Sequence, residues 1–399
     1  MSPLKLTPLW RLRRNNIMTD VTYNARIVPD ISLIGEAAWN GLQAGPSGAH
    51  YNPFTDYRFL SALEQSGCAQ PETGWAPCHI LIEDDDGAPL AAAPLYMKSH
   101  SQGEYVFDHG WAEALHNIGE NYYPKLQCAI PFTPANGPRL LGGDANARRA
   151  LISAMAQLCQ AQEASGVHAT FLTEADRTDF AAAGFLSRQD RQFHFINRGY
   201  ATFDDFLAAL ASRKRKNLRK ERVKAQEGIS IKRLRGDDLK SEHWDAFYEF
   251  YLNTSQRKWG RPYLNRAFFN IINDTFADQT LLVLAYDGDT PIAGALNFIG
   301  GDALYGRHWG AAVHKPFLHF ELCYYQAIDA ALDMGLSRVE AGAQGEHKLA
   351  RGYEPVVTHS AHYLSHPGLR DAVERYLKRE RHAVEFDAAV LAKHTPFKS

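Results

Sequence analysis

Apolar spacing along the chain marks out two successive series of similar elements. In CHILIEDDDGAPLAAAPLYMK (78–98) two short apolar runs flank a DDDG turn, the composition and spacing of a hairpin. Another apolar run, PKLQCAIPF, follows at 124–132. Residues 148–164 then place Leu151, Ile152, Met155, Leu158 and Cys159 at helical spacing, with Gly166 beyond them as a stop, and His168–Leu172 reads as a strand. A strand near Phe193–Ile196 is predicted to close this half.

The second series is plainer. ISIKRLRG (229–236) predicts a strand, and the helix after it carries Trp244, Phe247, Tyr248 and Tyr251 on one face. Residues 281–312 predict three antiparallel strands joined by DGD and GGD turns. Leu318, Leu322, Tyr325 and Leu332 define the core face of a helix ended by Gly335, and RVEAGA (338–343) reads as a strand. A polar loop, the strand THSAHYL (358–364) and a long helix from about Leu369 complete the chain.

At 399 residues the chain exceeds one ordinary domain of about 100–200 residues, so two similar halves are expected. Its 43 Lys+Arg nearly balance 45 Asp+Glu, which argues against wholesale nucleic-acid coating yet leaves room for a local basic face. No stretch approaches the roughly 18 apolar residues of a membrane span. Five cysteines (Cys68, Cys78, Cys128, Cys159 and Cys323) show no CxxC and no Cys/His ligand spacing. Neither a disulfide framework nor a metal site is expected, and the cytoplasm is the expected compartment.

Residues 1–17 carry Lys5, Arg11, Arg13 and Arg14 and no acid, but lack an apolar core and a cleavage-like site. Since Met18 opens MTDVTY, an upstream start codon and a targeting segment are both open readings. This segment is expected to be disordered or non-native and is left out of fold reasoning. No P-loop, no GxGxxG opening a helix, no G-x-S-x-G and no HExxH stands in a credible context, which removes kinase, hydrolase and metalloprotease readings.

Between Arg213 and Lys224 stand Arg213, Lys214, Arg215, Lys216, Arg219, Lys220, Arg222 and Lys224 against the single acid Glu221. Ser212 can cap this helix (212–226), and Leu218 and Ala225 give it a thin apolar seam. The cations either face a polyanion or pair with acids elsewhere in the protein; salt dependence of binding separates the two. On the last strand of the meander, period-two alternation sends Tyr305, Arg307 and Trp309 to one face and His308 to the other. After the next strand comes the densest titratable cluster: Glu340, Gln344, Glu346, His347, Lys348, Arg351 and Tyr353, spaced by Gly342, Gly345 and Gly352. His347 and His308 are candidate proton carriers because histidine titrates near neutrality. In the first half Glu104, Tyr105, Asp108, His109 and Trp111 precede Tyr122, Tyr123, Lys125 and Arg139. Rings beside carboxylates and cations suit a sugar or peptide acceptor, and such groups also cap ordinary cores.

Strand, helices, three antiparallel strands, helix, strand is the element order of the GNAT acyltransferase fold. The expected class is therefore α/β (α+β): two tandem GNAT-like domains facing one another, 18–197 and 198–399, with the basic helix 212–226 at their junction and the C-terminal helix packed behind. More narrowly, GEYVFDHGWA (103–112), YYPKLQCAIPFTPANGPR (122–139), SRKRKNLRKER (212–222), ALYGRHWG (303–310), LHFELCYYQAI (318–328) and VEAGAQGEHKLARGYEP (339–355) resemble the bacterial FemAB-like proteins of peptidoglycan biosynthesis.

This resemblance implies a transferase that moves an aminoacyl or acyl group to an amine, with no tightly bound cofactor. The implied donor is aminoacyl-tRNA, with acyl-CoA as the alternative; the acceptor is an amine-bearing cell-wall peptide or a small molecule. DNA is not an expected partner. A small-amine N-acetyltransferase and a non-catalytic binder of muropeptide or RNA are the competing functions. In GNAT proteins the strand of Tyr305–Trp309 parts from its neighbour to hold the donor, which gives Tyr305, Arg307, Trp309, Gly310, Arg215, Arg219 and Arg351 as donor-binding candidates. Arg307–Ala312 matches the R-x-x-G-x-A pyrophosphate pattern, although Gly310 has an equally good structural use at a strand end. Acyl transfer to an amine needs a base, donors for an oxyanion and close positioning. Glu340, Lys348, His347 and His308 are the catalytic candidates, Lys348 matching a lysine of the Fem pattern. Asp108, His109, Trp111, Tyr123, Lys125 and Arg139 are the acceptor-binding candidates.

Overall fold

The computed structural model describes residues 10–12, 23–45, 48, 50–258, 261–342, 345–392 and 395–398. Residues 1–9 and 13–17 of the amino-terminal segment, together with Gln344 and the side chain of Glu346, lie outside the described residues. The chain divides into two units. The first comprises Met1–Gly45, Phe54–Asp190 and Thr358–Glu385; the second comprises Pro46–Pro53, Arg191–Val357 and Phe386–Ser399.

The first unit contains β1 (Trp10–Leu12), β2 (Tyr23–Val28), β3 (Trp75–Pro77), β4 (His79–Glu83), β5 (Pro89–Ala93), β6 (Leu95–Lys98), β7 (Lys125–Cys128), β8 (Leu141–Gly142) and β9 (Gly166–Leu172). One sheet runs β1-β2-β4-β5-β8, and the predicted DDDG hairpin is its β4–β5 pair. The remaining strands run β3-β6-β7-β9, with β7 and β9 parallel. The helix Ala145–Ala161 starts at Asp144, whose carboxylate accepts from the N–H groups of Asn146 and Ala147. Its apolar face, including Leu151, Met155 and Leu158, packs with Ile80, Ile82, Leu126 and Val167 in one core. A second small core joins Leu369, Val373 and Leu377 of the C-terminal helix (Pro367–Ala392) to Trp111, Leu115 and Tyr122.

Next come β10 (Leu186–Ile196), β11 (Ser230–Arg235), β12 (Thr280–Asp287), β13 (Thr290–Ile299), β14 (Ala303–Ala311), β15 (Arg338–Glu340) and β16 (Glu354–Leu364). In the second unit the order is β11-β12-β13-β14-β15-β10, antiparallel throughout except for the parallel pair β14–β15. One face of this sheet, with Leu281, Val283, Ala293 and Ala295, packs on Leu322, Tyr325, Ile328 and Ala331 of the helical run Leu318–Asp333. On the other face the helix Ser241–Lys258 covers β13 and β14, with Trp244 and Phe247 buried beside Phe269.

Two strands depart from the expected division at 197/198. Phe193–Ile196 does not close the first half: His194, Phe195 and Ile196 pair with Glu340, Val339 and Arg338 of β15. Conversely, β16 from Ser360 to Leu364 pairs with Thr170 to Gly166 of β9 in the first unit. The pairing part of β10 thus belongs to the second unit, whereas the first unit takes the end of β16 from far along the chain, each strand satisfying the N–H and C=O groups of its neighbour.

The basic helix spans Ser212–Gln226 with Leu218 and Ala225 buried, as the seam predicts. Ser212 is its first helical residue and Ala211 holds the cap position without a side-chain bond, so the expected serine cap is absent. No helix among the described residues is long and apolar enough to cross a membrane.

Gly310 sits where a Cβ would lie 2.0 Å from the carbonyl oxygen of Phe250, in the helix that covers β14. Its place in the R-x-x-G-x-A pattern thus has a packing reason, and the pattern itself lies along a strand rather than at a helix start. Gly310→Ala is expected to lower stability by about 1–3 kcal/mol, read from a chemical denaturation midpoint; an unchanged midpoint would contradict this packing.

Candidate active site

The parallel pairing of β14 and β15 covers only Ala303, Leu304 and Tyr305 against Arg338, Val339 and Glu340. Beyond Tyr305 the strands part. On its other side β14 stays paired with β13, but one residue is inserted: Asn297 faces Gly306 while Leu296 faces His308, so Arg307 is the extra residue of a bulge. The insertion reverses the alternation that follows. Tyr305 and His308 share one face, where His308 meets the Tyr251 ring at 5.1 Å, and Trp309 turns to the opposite face, 5.2 Å from His319. The expected grouping of Tyr305, Arg307 and Trp309 opposite His308 is therefore corrected. Burial beside Tyr251 holds the His308 imidazole well below its ordinary pKa.

At the root of the gap Glu340 is 3% exposed. Its Oε1 accepts from Arg338 Nε at 3.1 Å, whereas Oε2 has no hydrogen-bond partner among the described residues. His194 Nε2 stands 3.8 Å from that oxygen, and burial lowers the pKa of this imidazole although Glu340 acts the other way. Arg338 also donates to Tyr305 Oη at 3.3 Å and pairs with Asp302. His194 and Arg338 were not singled out from sequence; each is a charged or titratable residue within an otherwise apolar strand run.

The loop after β15 folds into a 3-10 turn, Glu346–Arg351, which carries His347, Lys348 and Arg351. Lys348 is 1% exposed and donates from Nζ to the carbonyl of Gly342 at 2.9 Å. No carboxylate lies within ion-pair distance of it among the described residues, and burial lowers its pKa to about 8. His347 accepts or donates at Nε2 with Tyr324 Oη, 2.9 Å away. Its ring lies 6.3 Å from His319 and 5.5 Å from Phe320, so Trp309 of the strand and His347 of the turn belong to one aromatic group. The turn and this part of β14 do converge. His308 and Glu340 lie on the other face of the sheet.

On the basic helix Arg219 pairs with Asp204 at 2.9 Å, and Arg222 reaches Glu321 at 3.3 Å, pairs with Asp329 and covers the Phe203 ring. Arg213, Lys214, Arg215, Lys216, Lys220 and Lys224 have no ion-pair partner among the described residues, and all but Arg215 are exposed. Arg351 is nearly buried, 2.9 Å from Glu221.

In the first unit the expected acceptor residues separate. Asp108 and Lys125 turn inward, 3% and 0% exposed. Lys125 Nζ donates to Glu104 at 2.6 Å and Ser101 Oγ at 2.9 Å and pairs with Asp108, which also accepts from Tyr122 Oη at 2.6 Å. Burial pulls the Lys125 pKa down, but the two carboxylates outweigh it and hold it above the usual value. Lys98, on the ring of Trp75 at 3.6 Å, is lowered to about 6, chiefly by burial. His168 and His362 continue the network, Nδ1 to Nδ1 at 2.8 Å, beside Trp111. Tyr123 bonds Ser101 at 2.8 Å, and His109 is exposed against Phe107. Arg139 stands apart. It donates to the carbonyls of Thr170 at 3.0 Å, Ala135 at 2.9 Å and Pro138 at 3.2 Å, and so ties β9 to the segment leaving β7. Its side chain is 1% exposed, which sets it apart from the surface expected for an acceptor contact. Lys98, Ser101, His168 and His362 were missed; a cation or imidazole inside an apolar strand was the available signal.

Two α/β units, each carrying a parallel strand pair beside a helix, with one pair parting at a polar turn, define a tandem GNAT-type architecture. The chain belongs to the FemAB-like family, described as peptidoglycan biosynthesis/recognition, whose pattern matches residues 30–399. Among solved structures it is similar to a conserved protein of unknown function from Bacteroides thetaiotaomicron (12% identity, 84% of this chain and 98% of that chain, TM-score 0.51), a likeness of fold. FemX (13% identity, 79% and 93%, TM-score 0.49) and a tandem GNAT protein from the clavulanic acid biosynthesis pathway (11% identity, 86% and 99%, TM-score 0.45) are further similar structures. No curated protein sequence matches the chain.

The Lys125 network makes two predictions. Lys125→Met leaves Glu104 and Asp108 buried without their shared cation and is expected to cost about 3–5 kcal/mol in a denaturation experiment. Lys98 has a folded pKa of about 6 against an ordinary 10.5, so the folded state binds fewer protons than the unfolded state between those values. Its contribution to stability therefore rises with pH across that window. Lys98→Met is expected to stabilise the protein more at pH 6 than at pH 9; an equal effect at both would contradict the assignment.

Proposed function

We propose that the second unit transfers an aminoacyl or acyl group from an ester or thioester donor to an amine, in cell-wall peptide metabolism. The observation that carries this reading is the parting of β14 and β15 after Tyr305 and Glu340, with the buried Lys348, which meets no carboxylate among the described residues, on the turn that follows. A donor in that gap would have its carbonyl reachable from both faces of the sheet. The acceptor nitrogen bonds to the carbonyl carbon and the carbonyl π pair moves to oxygen. Lys348, protonated below about pH 8, supplies charge and N–H donors to that oxyanion. Glu340 Oε2, without a hydrogen-bond donor among the described residues, suits the proton leaving the ammonium, with His194 beside it. Collapse of the intermediate expels the donor's alcohol or thiol. The family's peptidoglycan description supports an amine-bearing peptide as acceptor.

Six cations of the basic helix without an ion-pair partner among the described residues support a phosphate-rich donor, for which aminoacyl-tRNA is the first candidate and acyl-CoA the second. Asp108 and Lys125 then act as supports for the surface bearing His109 and Tyr123, because their own charges are spent on one another.

Two measurements test this reading. Lys348→Met is expected to lower kcat about 10²–10³-fold with aminoacyl-tRNA or acyl-CoA donors. It should also stabilise the fold at neutral pH by on the order of 3 kcal/mol, because the folded pKa lies near 8 against 10.5 and the buried charge is disfavoured below both. Loss of stability together with retained turnover would reject the catalytic role. Separately, tRNA affinity should fall steeply with salt, and a Lys214→Gln/Lys216→Gln/Lys220→Gln variant should flatten the logarithmic slope by about one per residue; an unchanged slope would leave the helix without a docking role.

A further inference from the structure

We infer that Glu221, the single acid of the basic helix, is a positioning residue that couples anion docking on that helix to the turn bearing Lys348. This rests on the reading of the second unit given above. A carboxylate among eight cations weakens attraction for phosphate, so a helix serving only to bind polyanions would do better without it. Its bonds explain its presence. Glu221 Oε2 accepts from Tyr325 Oη at 2.7 Å and from Arg351 Nη2 at 2.9 Å. Arg351 in turn donates from Nη1 to the carbonyl of His347 at 2.9 Å, and its guanidinium lies 3.4 Å from the centre of the Phe320 ring.

The carbonyl that Arg351 grips belongs to the residue immediately before Lys348. The turn is also closed by its own backbone, Lys348 N–H to the Gly345 carbonyl at 3.0 Å and Tyr353 N–H to the Lys348 carbonyl at 3.2 Å, and by the bond of His347 to Tyr324 Oη. Glu221 thus provides, through Arg351, a side-chain tie between the basic helix and this turn. The neighbouring Arg222 holds the same helical turn to Glu321 and Asp329, which fixes the position from which Glu221 reaches Arg351. Coupling through such a contiguous charge-assisted pair is of the size that double-mutant cycles resolve.

Hydrogen exchange with uncharged tRNA as probe tests this without relying on turnover. In the wild-type chain tRNA is expected to slow amide exchange both in 212–226 and in 346–353. In Glu221→Gln the first protection should persist and the second should disappear. Glu221→Asp, which keeps the charge but shortens the reach, should behave as Glu221→Gln does if the bond matters. Both variants are first checked for a native thermal melt. In turnover, Glu221→Gln should lower kcat about tenfold with KM for the tRNA donor unchanged or reduced, and adding Arg351→Met should cost no more than either change alone. Protection confined to 212–226 in the wild type, or multiplicative losses in the double variant, would overturn the coupling. Failure of the catalytic reading is read separately, from retained turnover in Lys348→Met.

Discussion

The ladder between β14 and β15 ends after three residue pairs, and the chemistry available to the second unit follows from that stop. A continued ladder would satisfy the backbone of both strands and leave no room for a third chain or a ligand. Here Gly306 and the bulged Arg307 turn β14 away while Glu340 closes the paired segment. The parting sets a buried carboxylate at its root and lets the turn 346–351 bring Lys348 and His347 to its side. The same bulge decides which side chains face which way, since one inserted residue exchanges the two faces of a strand.

The first unit shows the same order of strands with a different outcome. Its parallel pair, Leu126–Cys128 against Val167–Ala169, also loses its partner strand, but Arg139 spans the interval with donations to carbonyls on both sides, and Gly137 rejoins Leu172. A guanidinium is suited to this because it carries five N–H donors in a fixed plane and can bond several carbonyls at once. Close by, Lys125 gathers Ser101, Glu104 and Asp108, pinning the segment that starts the helix His109–His116. Both units bury polar groups. In the first, Lys125 is held by two carboxylates, whereas in the second Lys348 has no carboxylate within ion-pair distance among the described residues.

Much of this architecture was legible in the residues. The meander 281–312, the hairpin around DDDG and the basic helix 212–226 each carry a period or a turn that fixes their type locally. What could not be read depended on partners distant in sequence. An apolar run such as Phe193–Ile196 declares itself a strand without declaring its sheet, and it joined β15 instead of its own half. Arg307 carries no local mark of a bulge, so alternation misplaced Trp309. Asp108 and Lys125 have the composition of a binding surface; only their mutual contact shows that the charges cancel inside. Arg139 likewise looks available until its three carbonyl partners are seen.

The central claim is that acyl transfer takes place in the gap between β14 and β15. Photocrosslinking with tRNA charged with p-benzoylphenylalanine, followed by peptide mapping, tests it most directly. The account predicts adducts in 304–311 and 340–353, lost when uncrosslinkable aminoacyl-tRNA competes. Adducts confined to 98–125, or absent from the second unit, would contradict it.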